Sequence, residues 1–272
     1  MREIGVKELQ QLQLGILAKV DSFCRENGIR YWLDSGTLLG AIRHGGYIPW
    51  DDDIDLGMLR EDFDRFLSSF NQQDNGCQVV CNEIEKGCYF PYAKVYDRRT
   101  VLYEPDEKGI KLCVNIDVFV YDLTLNKESA LRQYDRRDRY AALNALQFGL
   151  YRSKSWPKRL VKALLRIGLS LLPKGYFAAK MVSNSKRYAD SDARYVGNFT
   201  AVTRMICEKS VFASLLMKEF EGREYPIPAG YDAWLRAFYG DYMTPPPPEK
   251  QVSHHRFKAY VQEAEQKTAR DR

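Results

Sequence analysis

Residues 34–57 read DSGTLLGAIRHGGYIPWDDDIDLG, and five carboxylates fall in this stretch: Asp34, then Asp51, Asp52, Asp53 and Asp55. In an extended strand, side chains two apart share a face, so Asp53 and Asp55 point one way while Ile54 and Leu56 point into a core. Neighbouring carboxylates repel unless a positive group lies between them, and hard oxygen ligands of this kind suit Mg²⁺ or Mn²⁺. An acidic cluster beside Pro and Gly is also the composition of a solvated turn. The flanks favour the metal reading. Ile48, Pro49 and Trp50 lead in, and Ile54, Leu56 and Met58 follow at alternate positions, which anchors the aspartates on a buried strand.

Upstream, Tyr31-Trp32-Leu33 reads as a short strand that runs into Ser35-Gly36-Thr37 and then an apolar helical turn over 38–42. A strand, a small-residue turn and a helix start place backbone N–H groups where a phosphate docks. Phosphate cradle and carboxylates together point to phosphoryl or nucleotidyl transfer. A further carboxylate lies in the run 112–121, where Val114, Ile116, Val118 and Val120 fill one strand face and Cys113, Asn115, Asp117 and Phe119 the other. A charge within an apolar strand is costly without a partner, so Asp117 calls for a metal, a proton partner, or hydrogen bonds from a neighbouring backbone group or Tyr. Lys94 is the one cation among Phe90, Tyr92 and Tyr96; it either binds a phosphate or reaches solvent from an edge strand. Arg43 follows the phosphate turn's helix and is placed for a phosphate or an acidic neighbour.

The segment SGTLLGAIRHGGYIPWDDDIDLG resembles the signature of the LicD family, which includes bacterial phosphocholine transferases and the fukutin-related proteins. Tyr92-Ala93-Lys94-Val95, Asn115-Ile116-Asp117-Val118-Phe119, and Tyr239-Gly240-Asp241-Tyr242-Met243 with the prolines and His254-His255 beyond it are similar to the same family, over about residues 10–260. The resemblance implies an α+β fold: a nucleotidyltransferase-like mixed sheet flanked by helices over about residues 1–125, with a helical lobe and a C-terminal site segment over about 126–272, in one catalytic domain. It implies a metal-dependent transferase that moves phosphocholine, or a related phospho-alcohol, from CDP-choline or another CDP-alcohol to a hydroxyl of a cell-surface glycan precursor of lipopolysaccharide or teichoic acid, releasing CMP. Asp53, Asp55 and Asp117 would hold Mg²⁺ or Mn²⁺, with Asp117 either a ligand or the base. Ser35, Gly36, Thr37, Arg43 and Lys94 would position phosphates, and His254 and His255, otherwise ordinary surface residues, would contact phosphate or nucleotide. Choline needs aromatic faces, for which Tyr31, Trp32, Tyr47, Trp50, Tyr89, Phe90 and Tyr92 are candidates. The rival readings are a nucleotidyltransferase that moves a nucleoside monophosphate to a small acceptor, and a non-catalytic membrane-surface assembly protein.

Composition bounds the rest. The 272 residues are 45% hydrophobic and 28% charged, enough for a sizeable core, and a net charge of +5 is too mild to imply nucleic acid. The N-terminus has no apolar signal-like region, so a cytoplasmic protein with free thiols is expected from Cys24, Cys77, Cys81, Cys88, Cys113 and Cys207. Cys77, Cys81 and Cys88 form a loose group whose spacing matches no standard zinc knuckle.

Apolar spacing predicts helices over 7–27, 60–73, from 127, 156–172, 208–220 and 232–238, and strands over 77–84, 89–96 and 100–104. Residues 195–203 read as a loop or short strand returning toward the site, 225–228 as extended, and 245–248 as a polyproline spacer. Charges interrupt 156–172 before it can span a bilayer, and this basic amphipathic helix either lies on an anionic membrane surface, as a lipid-linked acceptor would favour, or packs its apolar face inward.

Overall fold

In the computed structural model, residues 1–103, 110, 112–150, 155–252 and 257–262 are described. The first part of the chain runs β1 (Arg2–Ile4), α1 (Val6–Glu26), β2 (Trp32–Leu33), α2 (Ser35–Arg43), β3 (Asp55–Leu59), α3 (Arg60–Ser69), β4 (Cys77–Val80), β5 (Ala93–Asp97), β6 (Thr100–Tyr103) and β7 (Asn115–Thr124). Three helices follow, α4 (Lys127–Phe148), α5 (Trp156–Leu169) and α6 (Tyr176–Ser185). The chain then returns to strands with β8 (Tyr195–Gly197), β9 (Ile206–Glu208), β10 (Leu215–Phe220) and β11 (Arg223–Pro228), and ends with α7 (Tyr231–Tyr239) and β12 (Lys258–Val261).

The mixed α+β architecture is centred on one parallel pair. The main sheet has the order β2-β3-β7-β5-β4, with β8 and β9 added beyond β7. Strands β3 and β7 run parallel, and their other neighbours are antiparallel. Leu56 and Met58 of β3 and Ile116, Val118 and Val120 of β7 are buried, as their alternation requires. Helix α1 covers the sheet with Ile16, Leu17, Val20, Phe23 and Cys24, spaced at three and four. Phe63 and Phe66 of α3 join it, and Phe23 meets the Phe66 and Phe70 rings edge-on at 6.0 and 5.0 Å. Complete burial of one such ring is worth about 2 kcal/mol. A second small sheet, β1-β12-β6, brings the first and last described strands together.

The C-terminal half departs from a purely helical lobe. Helices occupy it only as far as α6, after which strands and α7 fold back onto the main sheet. The helix expected over 208–220 is instead β9, a short 3₁₀ turn and β10, which pairs with β11 through a tight turn at Glu221 (φ 51°) and Gly222 (φ 75°). That hairpin packs against β2 and α2. Phe212 stacks on Trp32 at 4.2 Å, beside Tyr121 and Trp234.

Candidate active site

The aspartates are placed by backbone pairing. The Asp117 N–H donates to the Ile54 carbonyl at 2.9 Å, and the β3–β7 register sets Asp55 opposite Asp117. On the other side of β7, the β5 register sets Lys94 opposite Asp117. Residues facing each other on adjacent strands share a sheet face. Two carboxylates and an ammonium therefore lie in a row across three strands. Lys94 Nζ donates to Asp117 Oδ1 at 2.7 Å and to Asn115 Oδ1 at 3.2 Å, and lies 5.1 and 5.5 Å from the Phe90 and Tyr92 ring centroids. Lys94 thus neither reaches solvent nor stands free for a phosphate. The reason is the register: an acid directly opposite satisfies it in a largely buried setting.

The α2 N-terminus is locked to the same strand. The Asp34 N–H donates to the Asp55 carbonyl and the Asp55 N–H donates to Thr37 Oγ1 at 2.8 Å, so the buried Thr37 hydroxyl holds the strand. Ser35 adopts φ 47°, a left-handed conformation uncommon for a side-chain-bearing residue and found where surrounding structure enforces it. Asp34 is fully buried and accepts from the Tyr121 hydroxyl at 2.6 Å and the Trp234 indole N–H at 3.3 Å, while burial raises its pKa. A Cβ on Gly36 would lie 2.7 Å from Asp51 Oδ2, so the glycine lets the acidic loop settle against the helix start.

A cleft of about 1080 Å³ opens above this floor. Ser35, Gly36, Arg43, Trp50, Asp51, Asp53 and Asp55 line it from one side, Tyr89 and Tyr92 from the segment before β5, Phe119 and Tyr121 from β7, and Trp234, Phe238, Tyr239, Asp241 and Tyr242 from the C-terminal segment. Arg43 Nη1 donates to the Tyr242 carbonyl at 2.7 Å, which ties that segment to α2; its partner is a carbonyl, where an acid or a phosphate was expected. Asp117 faces a separate chamber of about 60 Å³ with Lys94, Asn115 and Phe257, and Asp53 borders both spaces.

The electrostatics are unbalanced in favour of negative charge. Burial, then the Asp53 charge and a hydrogen bond with Asp53, push Asp51 up to about 7. Burial, then the charges of Asp53, Asp117, Asp34 and Asp51, raise Asp55 well above the ordinary carboxylate range. Lys94 offsets Asp117 alone. Oxygen-only donors with excess negative charge fit a hard divalent cation. Among the described residues, no group of three His, Cys, Asp or Glu side chains is gathered to hold a metal ion, and that includes Cys77, Cys81 and Cys88, which are free thiols. Asp53, Asp55 and Asp117 are therefore not gathered as the three-carboxylate metal set that the resemblance implies, because Asp117 turns to Lys94 in the smaller chamber.

Of the aromatic candidates, Trp50, Tyr89 and Tyr92 line the cleft. Tyr31, Trp32 and Phe90 belong to the core, and the Tyr47 hydroxyl donates to Gln13 Oε1 at 3.1 Å. His254 and His255 lie outside the described residues. Residues 198 and 200–203 do return to the cleft, as anticipated. Arg137 and Asp138 of α4 also line it and were not anticipated, because an Arg-rich helix face reads as solvated surface. Arg137 is buried; its Nε donates to Asp138 Oδ1 at 2.7 Å and its Nη1 to the carbonyls of Thr203, at 2.9 Å, and Ala201.

Residues 28–121 match the domain family described as LicD/FKTN/FKRP, nucleotidyltransferase domain. The chain is 31% identical over 271 residues to the lipopolysaccharide cholinephosphotransferase LicD of Haemophilus influenzae, covering 96% of this chain and 100% of that protein. An uncharacterized Rickettsia typhi protein is 41% identical over 92 residues, 30% of each chain. The human ribitol 5-phosphate transferase FKRP is 66% identical over 35 residues, 13% of this chain and 7% of that protein.

Proposed function

The chain belongs to the LicD family of transferases for substituted phosphate groups, and we propose that it moves phosphocholine, or a related phospho-alcohol, from a CDP-alcohol to a glycan hydroxyl, releasing CMP. The observation that carries this reading is the cluster of Asp51, Asp53 and Asp55 in the wall of an aromatic-lined cleft. Asp53 and Asp55 would hold Mg²⁺ or Mn²⁺. When bound, the cation would neutralise the diphosphate and stabilise charge on the leaving CMP oxygen.

The remaining work falls to the chain's own groups. The acceptor hydroxyl attacks the phosphorus that carries choline, a bond from its oxygen to that phosphorus forms, and the bond from the phosphorus to the oxygen of CMP breaks. Asp51, in the cleft beside Asp53, is the carboxylate placed to take the hydroxyl proton. Asp117 holds Lys94 and through it sets the charge behind Asp55; an ion-paired carboxylate is a poorer base, so its part is positioning. The Ser35 and Gly36 turn and Arg43 lie along the cleft wall, where orientation and electrostatics do most of what phosphoryl transfer requires. Trp50, Tyr92, Phe119 and Tyr239 line the cleft, and aromatic side chains there would suit a quaternary ammonium such as that of choline. The volume accommodates a nucleoside diphosphate donor together with part of an acceptor. A lipid-linked acceptor would also bring the chain to a membrane surface.

The test is incubation of the purified chain with Mg²⁺ and a panel of CDP-alcohols, with and without candidate glycans. CMP release that needs both CDP-choline and a glycan is the expected result. Pyrophosphate release from a nucleoside triphosphate would instead establish nucleotidyl transfer and overturn the reading.

A further inference from the structure

Between Asp138 and Asp190 the sequence contains eleven Lys and Arg residues and no Asp or Glu. The helix α5 sits inside this interval and is strongly two-sided. At 100° per residue, Trp156, Leu160, Leu164 and Ile167 follow one side, and Lys158, Lys162 and Arg166 the other.

In a helix that contributes to a core, the apolar side packs inward. Here the apolar side stays exposed, and none of the described α5 residues is buried. The Arg166 guanidinium lies against Gly149 at the end of α4, Lys162 and Leu169 are half-buried, and the Gln147 side-chain amide donates to the carbonyls of Leu169, Leu172 and Pro173. The apolar side is turned outward, with Trp156, Leu164 and Ile167 at 72, 60 and 67% exposure. A contiguous exposed apolar strip of this kind marks an interaction surface.

Charge decides what covers it. A second copy would bring the same basic interval against itself, so like charges would oppose pairing. A bilayer containing anionic lipid offers hydrocarbon for the strip and negative headgroups for the basic side chains that flank it, including the exposed Lys158 and Lys174. Trp156 at the helix end suits the headgroup level. No helix among the described residues is long and apolar enough to cross a membrane, so α5 would lie in the interface plane. The helix α4, which precedes α5 in the chain, carries Arg137, Asp138, Ala141 and Asn144 into the cleft wall.

We propose that α5 is a membrane-docking helix that lays its apolar strip into the headgroup boundary of a bilayer containing anionic lipid and holds the cleft near that surface. This rests on α5 and its surroundings and does not require the donor assignment. The experiment is co-sedimentation of the full chain with vesicles of phosphatidylcholine alone and of phosphatidylcholine with phosphatidylglycerol. The chain is expected to pellet with the anionic vesicles and to be released by high salt. The variant carrying Leu164→Glu and Ile167→Glu stays in the supernatant while its circular-dichroism melt matches the parent, and Lys158→Glu with Lys174→Glu weakens pelleting. Absence of pelleting, or pelleting unchanged by Leu164→Glu and Ile167→Glu, overturns the proposal. So does a concentration-dependent dimer that the same variant abolishes in the absence of vesicle binding, which would make a second copy the occupant.

Discussion

Lys94 donates to Asp117 at 2.7 Å from the position directly opposite it on the neighbouring strand, and both side chains are less than one-fifth exposed. Removal of one member of such a pair leaves a charge without its partner in a poorly solvated place. Lys94→Met is therefore expected to lower stability by about 3 kcal/mol, and the double variant with Asp117→Asn to recover most of that loss. Urea denaturation of the two single variants and the double variant measures the coupling. Additive losses would mean that the two residues act independently.

Gly36 has no room for a side chain on its Asp51 flank. In Gly36→Ala the added methyl displaces Asp51 and, through it, the geometry around Asp53, with an expected loss of about 100-fold in kcat/KM at near-parental stability. Steady-state kinetics with a thermal melt decides it. Parental kinetics would show that the contact between helix start and acidic loop is irrelevant to turnover.

The acidic cluster also fixes a pH dependence. Burial and the Asp53 charge push Asp51 up to about 7, and burial with its acidic neighbours raises Asp55. A carboxyl with a higher pKa folded than unfolded contributes stability that is complete below the unfolded value and is lost as pH rises through the folded one. In Mg²⁺-free buffer this contribution to the melting temperature declines as pH rises through about 7. Mg²⁺ binds the ionised form, so the stabilisation it confers grows across the same interval. A Mg²⁺ effect equal on both sides of that interval, in a thermal-shift titration, would contradict the fit between cluster and cation.

Trp50 tests the donor head group. Loss of its ring in Trp50→Ala is expected to cost about 1 kcal/mol of binding, roughly a fivefold rise in KM, for a cationic CDP-alcohol. A neutral CDP-alcohol should be affected much less. Equal effects on both donors would remove Trp50 from head-group recognition.

The chain displays some of these features locally and hides others. Alternation over 112–121 and around Ile54 and Leu56 is a period-two signal that needs no tertiary information, and the expected apolar residues are buried, although β3 begins only at Asp55 and leaves Asp53 on the segment leading into it. The Lys94 partner was hidden, because it depends on the register of strands that meet only after a long stretch of intervening chain. The 208–220 segment misleads for a different reason. Val211, Phe212, Leu215 and Leu216 recur at helix-like spacing, yet β11 and the Glu221-Gly222 turn draw 215–220 into a hairpin, so tertiary pairing overrides local preference. Arg137 gave no local sign of its burial, since its carbonyl partners lie more than sixty residues away.

The central claim is that Asp53 and Asp55 hold a divalent cation in the cleft together with the donor phosphates. Electron paramagnetic resonance of Mn²⁺ titrated into the chain with CDP-choline reads this directly. Bound Mn²⁺ that depends on the nucleotide and disappears in Asp55→Asn, in a variant that still melts cooperatively, is the predicted result. Mn²⁺ that stays free in the parental chain, or that binds Asp55→Asn equally well, would contradict it.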